Sequence, residues 1–472
     1  MLLRLVESSL RVLRCRTRLP FRFGAVTMRS AWLAALVVTV EDSEGRRVEG
    51  RSGDLLVPRW FDKDPAKSPA RGAADLAAAV RIAAAQAAAD AEFRPPFDLW
   101  DRMDRKTRLA GVAPALVASF GVALVERAML DAAARLSDLP YVRMLREVEL
   151  GFDAGRLDPA LAGTSLRDLV APQPRVDVAV RHTIGLADAL RETDRESRED
   201  DGLPASLEQD VLRYGLDHFK IKIGAGVEAD AARLGRIGEL LRDLGVAAPR
   251  VTLDGNEQYD DPGRILELLD RIERHPAARV LREGLLYVEQ PVSREATFAR
   301  SAEAALRELG RRVPVIIDEA DGDRDSFRRA LDRGYRGVSV KNCKGVFRSL
   351  LNRALVRAVP GARLAGEDLT NLADAPLHQT LVTAGALDLD HLELNGHHYF
   401  RGLDHLGSSA ATTLLAAHPD LYRPLGAGAA LRIRGGRLRF ASLHRAGFGA
   451  LGPLPAGRWR DASTWGPAEF AS

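Results

Sequence analysis

Cysteine and long apolar runs are what this sequence of 472 residues has least of. Its two cysteines, Cys15 and Cys343, exclude a disulfide framework and a CxxC zinc site, so a reducing compartment, the cytoplasm, is the simplest expectation. The sequence contains no stretch of about 18 consecutive apolar residues, which excludes a membrane-spanning segment.

An excess of charge of either sign is also lacking. Lys and Arg number 68 and Asp and Glu number 65, a formal net charge of +3, so no electrostatic attraction to nucleic acid is expected. Hydrophobic residues make up 46% and charged residues 28%, as in an ordinary globular protein. The length predicts two or three domains and excludes a disordered scaffold.

Lysine is scarce, with 7 lysines against 61 arginines. Four of the seven lie in two short strand-like segments: Lys220, Lys222, Lys341 and Lys344. A buried lysine can lose its proton in a protein and an arginine cannot. Positions that keep lysine in this chain therefore suggest a need for a neutral amine, with chance and codon bias as the alternative.

The first third of the sequence has an α+β pattern. Residues 1–18 predict a first strand, although their arginines also resemble a targeting segment. A strand at 31–40, a turn and a return strand at 46–50 follow, and then alanine-rich helices at about 73–93 and 115–136. The polar stretch 151–174 is a candidate boundary, so residues 1–170 are expected to form a separate N-terminal α+β domain.

Beyond this boundary, short apolar strands alternate with amphipathic helical segments. Strands are predicted at 176–183, 218–224, 250–255, 285–290, 313–319, 337–342, 362–367 and 391–394. Eight βα units predict a parallel (β/α)₈ TIM-type barrel over residues 171–424. The charged stretch 191–201 predicts a solvated loop. Within the C-terminal segment 425–472, a hairpin is predicted at 431–440 with its turn at Gly435-Gly436, returning to the N-terminal domain.

Three carboxylates follow successive predicted barrel strands. Asp254, Glu289 and Asp318 end the third, fourth and fifth strands, so they are expected side by side at one rim of the barrel. Three adjacent anions repel one another unless a cation holds them, and ligands that are all oxygen favour Mg²⁺ first and Mn²⁺ second. The alternative is that Asp254 and Asp318 are helix N-caps, a role for which glutamate is a poor choice.

Two lysine groups flank this expected ion. Lys220 and Lys222 are two residues apart on one strand, so both point into the barrel, where each is expected to depress the other's pKa. Lys341, four strands away, approaches from the opposite side. A purely structural ion network is the alternative interpretation.

These side chains suit the removal of a proton next to a carboxylate. A divalent ion and Lys220 would stabilise the resulting dianion, and Lys222 and Lys341 would act as bases on opposite faces of the carbon. Two opposed bases permit racemisation or epimerisation. One base and one spectator cation permit elimination or cycloisomerisation.

The ordered set Lys220-x-Lys222, Asp254-Gly-Asn256, Glu289-Gln-Pro291, Asp318-Glu319 and Lys341 resembles the enolase superfamily. Lys344-Gly345 after Lys341 resembles its muconate lactonizing enzyme-like subgroup, within the mandelate racemase/muconate lactonizing enzyme family. The resemblance implies an isomerase or lyase with Mg²⁺ and a small carboxylate substrate. It also implies an α+β cap completed by the C-terminal segment, and homo-oligomers. Residues 18–24 resemble the mobile specificity loop of the cap, which makes Arg22 and Phe23 substrate-binding candidates along with Asn256 and Lys220.

Some positions depart from the family pattern. Val346 stands where a second glycine is more usual, and strand seven ends Glu367-Asp368 without the histidine typical of acid-sugar dehydratases. Glu393, on strand eight, is a candidate for binding a substrate ammonium group or a core residue. His397 and His398 are either substrate contacts or part of a surface loop.

Several activities stay open at this point. A lyase, either a dehydratase or similar to o-succinylbenzoate synthase, is an alternative to an isomerase. A catalytically silent barrel that binds a carboxylate ligand is another. A barrel whose lysine forms a Schiff base is disfavoured by the three clustered carboxylates.

Overall fold

The computed structural model describes residues 1–23, 26–110, 113–195, 200–455 and 457–471, and within them a layered N-terminal region precedes a closed barrel. In this part of the chain, no helix is long and apolar enough to cross a membrane. Cys15 and Cys343 are both buried free thiols.

An antiparallel sheet opens the N-terminal region. Strands β1 (Leu3–Phe23), β2 (Val26–Asp42) and β3 (Arg47–Leu56) lie side by side in chain order. Leu10 and Val12 of β1 are buried, and the arginines beside them, Arg11 and Arg14, are more exposed, so period-two alternation explains the strand. The predicted first strand is confirmed, and it continues through residues 18–23, where the family resemblance implied a loop.

Six helices pack on or follow this sheet. They are α1 (Pro58–Phe61), α2 (Pro69–Ala88), α3 (Pro96–Ala110), α4 (Ala115–Leu136), α5 (Tyr141–Glu147) and α6 (Leu166–Leu169). The prediction for α4 is confirmed. The helix predicted at 73–93 begins earlier and ends at Ala88, because Pro95-Pro96 starts a separate helix, α3, that the pattern did not reveal.

The barrel consists of eight parallel strands. They are β4 (Asp177–Ile184), β5 (His218–Lys222), β6 (Arg250–Asp254), β7 (Leu285–Glu289), β8 (Val315–Ile317), β9 (Gly337–Val340), β10 (Arg363–Gly366) and β11 (His391–Leu394). Neighbours in sequence are neighbours in the sheet, and β11 pairs with β4 to close it, with Leu394 opposite His182. The predicted (β/α)₈ architecture is confirmed.

Helices surround the strands as parallel crossovers require. They are α7 (Leu207–Tyr214), α8 (Val227–Asp243), α9 (Pro262–Arg274), α10 (Arg279–Glu283), α11 (Glu303–Arg312), α12 (Ser326–Arg333), α13 (Val346–Ala358), α14 (Ala375–Ala386), α15 (Gly396–Tyr399) and α16 (Ser408–Ala417).

The C-terminal segment differs from the predicted hairpin. Strands β12 (Tyr422–Leu425) and β13 (Gly428–Leu431) form the hairpin, and β14 (Arg437–Arg439) leaves the Gly435-Gly436 turn to pair with barrel strand β4. The two glycines have φ of 54° and 67°, which permits this tight turn. Farther on, β15 (Arg460–Asp461) joins β1 of the N-terminal sheet, and α17 (Pro467–Ala471) packs near α2.

Candidate active site

The carboxyl ends of the barrel strands place the acidic and basic residues in one layer. Lys222, Asp254 and Glu289 lie opposite one another in the register of β5, β6 and β7. Each of these side chains is buried, as are Asp318 and Lys341 from the next two strand ends. The alternation of the strands directs them inward, because Ile221 and Leu253 occupy the outward positions and pack into the hydrophobic core.

Lys220 lies at the centre of a group of carboxylates. Its Nζ is 2.8 Å from Glu289 Oε2, 3.0 Å from Asp254 Oδ2 and 3.0 Å from Glu393 Oε2, and it also contacts Glu367. Burial alone would lower the pKa of Lys220, but these four negative charges raise it well above its usual value. The expected mutual depression of the lysine pKa values is therefore wrong for Lys220, because its carboxylate neighbours outweigh the second ammonium.

The two candidate bases, Lys222 and Lys341, each hold one carboxylate. Lys222 Nζ is 2.5 Å from Asp254 Oδ2, and Lys341 Nζ is 2.6 Å from Asp318 Oδ2. Asp318 raises the pKa of Lys341 above its usual value despite the opposing effect of burial. Without a metal ion the site is thus an ion network, but both ammonium groups line one cavity, approaching it from different strands.

The acidic residues fit a divalent cation by their chemistry. Asn256 Oδ1 is buried and accepts no hydrogen bond from the described residues, and the Lys220 ammonium 2.8 Å from Glu289 Oε2 is shared with three other carboxylates. Burial and the charges of Asp254 and Glu367 raise the pKa of Glu289 well above its usual value. Such a carboxylate lacks sufficient positive charge around it, and a hard cation with oxygen ligands would supply that charge.

The three expected ligands do not converge tightly in this structure. Within the described residues, oxygens of Asp254, Glu289 and Asp318 are not all within 4.8 Å of one another. Lys220 and Lys222 share Asp254, and Lys341 holds Asp318. Asp254 and Asp318 are thus held by ion pairs with lysines in this structure.

The N-terminal region covers the open end of the cavity. Phe21, Val57 and Trp60 line the cavity, together with Lys222 and Lys341. The Nζ of Lys341 lies 4.5 Å from the centre of the Trp60 ring, in cation–π geometry. An apolar lid over charged groups favours a ligand that has a carboxylate at one end and an apolar group at the other.

The remaining substrate-binding candidates occupy different places. Glu393 Oε1 accepts hydrogen bonds from Thr183 and Asn395, and Asn256 donates to Glu319, so both are held by the barrel as well as lining the cavity. Arg22 is exposed and does not line the cavity in the described part of the chain. The side chain of Phe23 and all of Gly24 lie outside the described residues.

Asp368 is a site residue that the sequence reasoning missed. It follows β10, lines the cavity and accepts hydrogen bonds from the backbone N–H groups of Asn371 and Asn395. Burial and the nearby Glu393 charge raise its pKa to about 7. Its position shortly after barrel strand β10 is the sequence signal that points to it.

Neither expectation for His397 and His398 is correct. Both are buried on α15, and they point toward α7 outside the barrel rather than into the cavity or to solvent. Lys344 is buried as well, and its Nζ donates to Ser339 Oγ at 2.7 Å and lies 3.0 Å from Asp321 Oδ2.

Comparisons with known proteins agree with this geometry. The family model described as "Enolase C-terminal domain-like" matches residues 203–359. The "Hydrophobic dipeptide epimerase" of Citrifermentans bemidjiense is 27% identical over 283 residues, which cover 60% of this chain and 64% of that protein. The match thus spans less than two thirds of the curated relative's length.

Two solved structures share the whole fold. An enolase from Bradyrhizobium complexed with magnesium and mandelic acid gives a TM-score of 0.60 at 18% identity and covers 98% of each chain. The dipeptide epimerase from Enterococcus faecalis, complexed with Mg and the dipeptide L-Leu-L-Tyr, gives 0.59 at 15% identity and covers 94% of this chain and 99% of its own.

The fold and the site define a capped (β/α)₈ barrel whose strand ends carry lysines and carboxylates around one cavity. Residues 203–359 match the enolase C-terminal domain-like family, and the whole chain has the fold of the solved enolase and dipeptide epimerase structures.

Proposed function

We propose that this protein abstracts the proton α to a substrate carboxylate on one face and delivers a proton to the other face, as a racemase or epimerase. The observation that carries the proposal is the pair Lys222 and Lys341, which approach one cavity from strands on different sides of the barrel. An amine on each face of a carbon is the arrangement that inverts its configuration. Asp254, Glu289 and Asp318 would hold Mg²⁺, or Mn²⁺ in its place.

Each lysine has a separate role in this proposal. Lys222 removes the proton from one epimer and Lys341 from the other, and the conjugate acid of the opposite lysine returns a proton to the carbon. Lys220 keeps its positive charge, because four carboxylates surround it, and stabilises the negative charge that develops on the substrate. The bound ion would supply further positive charge beside the substrate carboxylate.

The cavity favours acids that carry an apolar group. Phe21, Val57 and Trp60 would contact that group, and Asp368 would face a cationic group of the substrate. Dipeptides with hydrophobic side chains meet both conditions, and a relative named as a hydrophobic dipeptide epimerase supports testing them first.

We propose the limits 1–170, 171–424 and 425–472 for cap, barrel and returning segment, with the substrate bound between cap and barrel.

The test is exchange of the substrate α-hydrogen with deuterium from solvent. The full-length protein with Mg²⁺ is incubated in D₂O with libraries of dipeptides, N-acylamino acids and 2-substituted acids, and mass gain is measured. For each pair of epimers that exchanges, Lys222→Ala is expected to abolish exchange from one epimer and Lys341→Ala from the other. Lys106→Ala, at an exposed lysine of α3, is the matched control.

The outcomes separate the open alternatives. Exchange that persists for both epimers in Lys222→Ala would remove Lys222 as a base. Wild-type binding of an acid without exchange, with Mg²⁺ present, would support the silent carboxylate-binding barrel. Exchange from one epimer only, with loss of a leaving group or ring formation, would favour a lyase or cycloisomerase.

A further inference from the structure

A second group of metal-ligating side chains lies outside the barrel, behind the wall of the cavity. Arg181 and Thr183 of β4 point into the barrel, where they contact Glu367 and Glu393. His182, between them, therefore points outward, toward α7 and α15. There it meets Asp210 of α7 and His398 of α15.

The spacing of these three side chains suits a tetrahedral ion. His398 Nδ1 lies 2.9 Å and His182 Nε2 lies 3.6 Å from Asp210 Oδ2, and one ligand atom from each residue lies within 4.8 Å of the others. A zinc ion with bonds of about 2.0–2.1 Å separates its ligand atoms by roughly 3.3 Å. No other group of three such residues meets this criterion in the described part of the chain.

The ring nitrogens of two histidines face the buried carboxylate of Asp210. The exposed fraction of Asp210 is 0%, and its Oδ2 lies close to both His182 Nε2 and His398 Nδ1. His398 Nδ1 is within hydrogen-bonding distance of Oδ2, so a metal ion bound here would take the place of the proton between these two atoms. A charged oxygen buried in this way costs several kcal/mol unless a cation or hydrogen bonds compensate.

The surroundings supply the support that a metal ligand needs. His182 Nδ1 lies 3.1 Å from His397 Nε2, which orients the ring and leaves Nε2 directed at Asp210. Arg18, the nearby cation, is paired with Asp201 and donates to the backbone oxygen of His398 rather than to Asp210.

We propose that His182, Asp210 and His398 bind a divalent transition-metal ion, Zn²⁺ in the first place, at a site separate from the proposed Mg²⁺ site. Two imidazoles and one carboxylate select Zn²⁺, Co²⁺ or Ni²⁺ over Mg²⁺, which prefers oxygen ligands. The three ligands are fully buried, so the role is structural. The ion would join α7, α15 and β4, at the seam where β4 and β11 close the barrel.

This site would also stiffen one wall of the active-site cavity. Tyr399, next to His398, stacks on Phe21 with ring centres 4.0 Å apart, and Phe21 lines the cavity. An ion bound to His398 would therefore fix the neighbouring Tyr399, on whose ring Phe21 of the cap stacks.

Cobalt is the probe for the test, because its visible absorption reports ligand number and type. Chelator-treated full-length protein in excess Mg²⁺, which competes for the oxygen site, is titrated with Co²⁺. One equivalent with tetrahedral absorption is expected in the wild type and in Asp254→Asn. That equivalent is expected to be lost in Asp210→Asn and His182→Gln.

His218→Gln is the matched control. His218 Nδ1 lies 2.7 Å from Asp217 Oδ1, an equally close pair that is not part of a three-ligand group in the described residues. Zn²⁺ is expected to raise the melting temperature of the wild type and of His218→Gln, and to leave that of Asp210→Asn unchanged.

Absorption spectroscopy at the zinc edge decides the case if the ligand variants fail to fold. Two imidazole ligands are expected on the wild-type protein loaded with one Zn²⁺ in excess Mg²⁺. An all-oxygen shell, no bound equivalent, or an equivalent that survives in folded Asp210→Asn would overturn the proposal and leave a His–Asp ion pair. Because none of these readouts measures activity, failure here is distinguishable from failure of the proposed epimerase function.

Discussion

At the scale of single residues, Lys220 faces more negative charge than its single positive charge can neutralise. Four carboxylates from four barrel strands surround its ammonium group: Asp254, Glu289, Glu367 and Glu393. Arg181 neutralises part of this charge through Glu367. Burial and the remaining negative charge together raise the pKa of Glu289, and that charge is the reason that a cation is expected there.

Replacement of Lys220 by Met should therefore destabilise the protein strongly in the absence of metal. Breaking a buried ion pair by removing one partner costs about 3–5 kcal/mol. Urea unfolding of chelator-treated protein measures the loss, with Lys106→Met as the exposed control. Mg²⁺ should restore part of the stability to Lys220→Met, because the ion neutralises the same carboxylates. Equal stability of variant and wild type would show that these carboxylates are protonated.

Trp60 is the second residue that single-residue changes can test. Its ring covers Lys341 and closes the cavity, with Nζ and ring centre 4.5 Å apart. Trp60→Ala should raise KM for an apolar substrate about tenfold, equivalent to roughly 1.4 kcal/mol. Trp60→Phe keeps an aromatic face and should retain most of the affinity. Steady-state kinetics with the substrate found by α-exchange measures this, and an unchanged KM in Trp60→Ala would place the apolar group elsewhere.

At the scale of elements, α4 of the cap supports the barrel element that follows Lys341. Glu126 of α4 accepts hydrogen bonds from the backbone N–H groups of Val346 and Phe347, at the N-terminus of α13. Gly345 precedes this helix with φ of 111°, and a Cβ there would lie 2.8 Å from Glu126 Oε2. This close approach explains the glycine after Lys344.

The titration of Glu126 should make stability depend on pH. Burial raises its pKa to about 8 in the folded state, against about 4.3 in an unfolded chain. The folded state keeps this proton to higher pH than the unfolded chain does. The stability that protonated Glu126 contributes is therefore fully present below about pH 4 and is lost as the pH rises toward 8.

Glu126→Gln removes this titration and provides the measurement. The stability of the wild type relative to the variant should fall by up to about 1.4 kcal/mol per pH unit between pH 5 and pH 8. Urea unfolding at several pH values measures the difference. A constant difference across this range would mean that Glu126 is ionised in the folded protein.

The elements also show what a sequence can predict and what it cannot. Strand ends were predictable, because an apolar run that stops at Asp254 or Glu289 has a local pattern. The carboxylate that pairs with each lysine was not predictable, since the pairing depends on distances across the barrel that one sequence does not encode. For the same reason the outward direction of His182 and its contact with His398 were missed, although the alternation within β4 was available.

At the scale of the whole molecule, charged contacts beside the cavity are among those that join the cap to the barrel. Arg294 of the barrel donates to the backbone oxygens of Trp60 and Phe61, and Lys63 donates to that of Asn256. No periodicity in the sequence predicts such contacts, because they join segments more than 190 residues apart. Resemblance to the superfamily supplied the position of the cap; the sequence pattern alone did not.

Arg18 makes the contacts that we expect to hold this part of the cap in place over the cavity. Its side chain bonds to Asp201 at 2.5 and 2.9 Å, and to the backbone oxygens of Pro204 at 2.9 Å and His398 at 2.8 Å. It thus ties the end of β1, which carries Phe21, to two barrel loops.

Arg18→Ala should release this end of β1 and raise KM more than it lowers kcat. We expect KM to rise about fivefold, or roughly 1 kcal/mol, because the substrate must then order the released end of the strand. Faster amide hydrogen exchange in residues 15–23 should accompany the change. Arg22→Ala is the control, since Arg22 is exposed on the same strand. A larger KM effect in Arg22→Ala than in Arg18→Ala, with unchanged hydrogen exchange, would contradict this account and indicate that Arg22 binds the substrate directly.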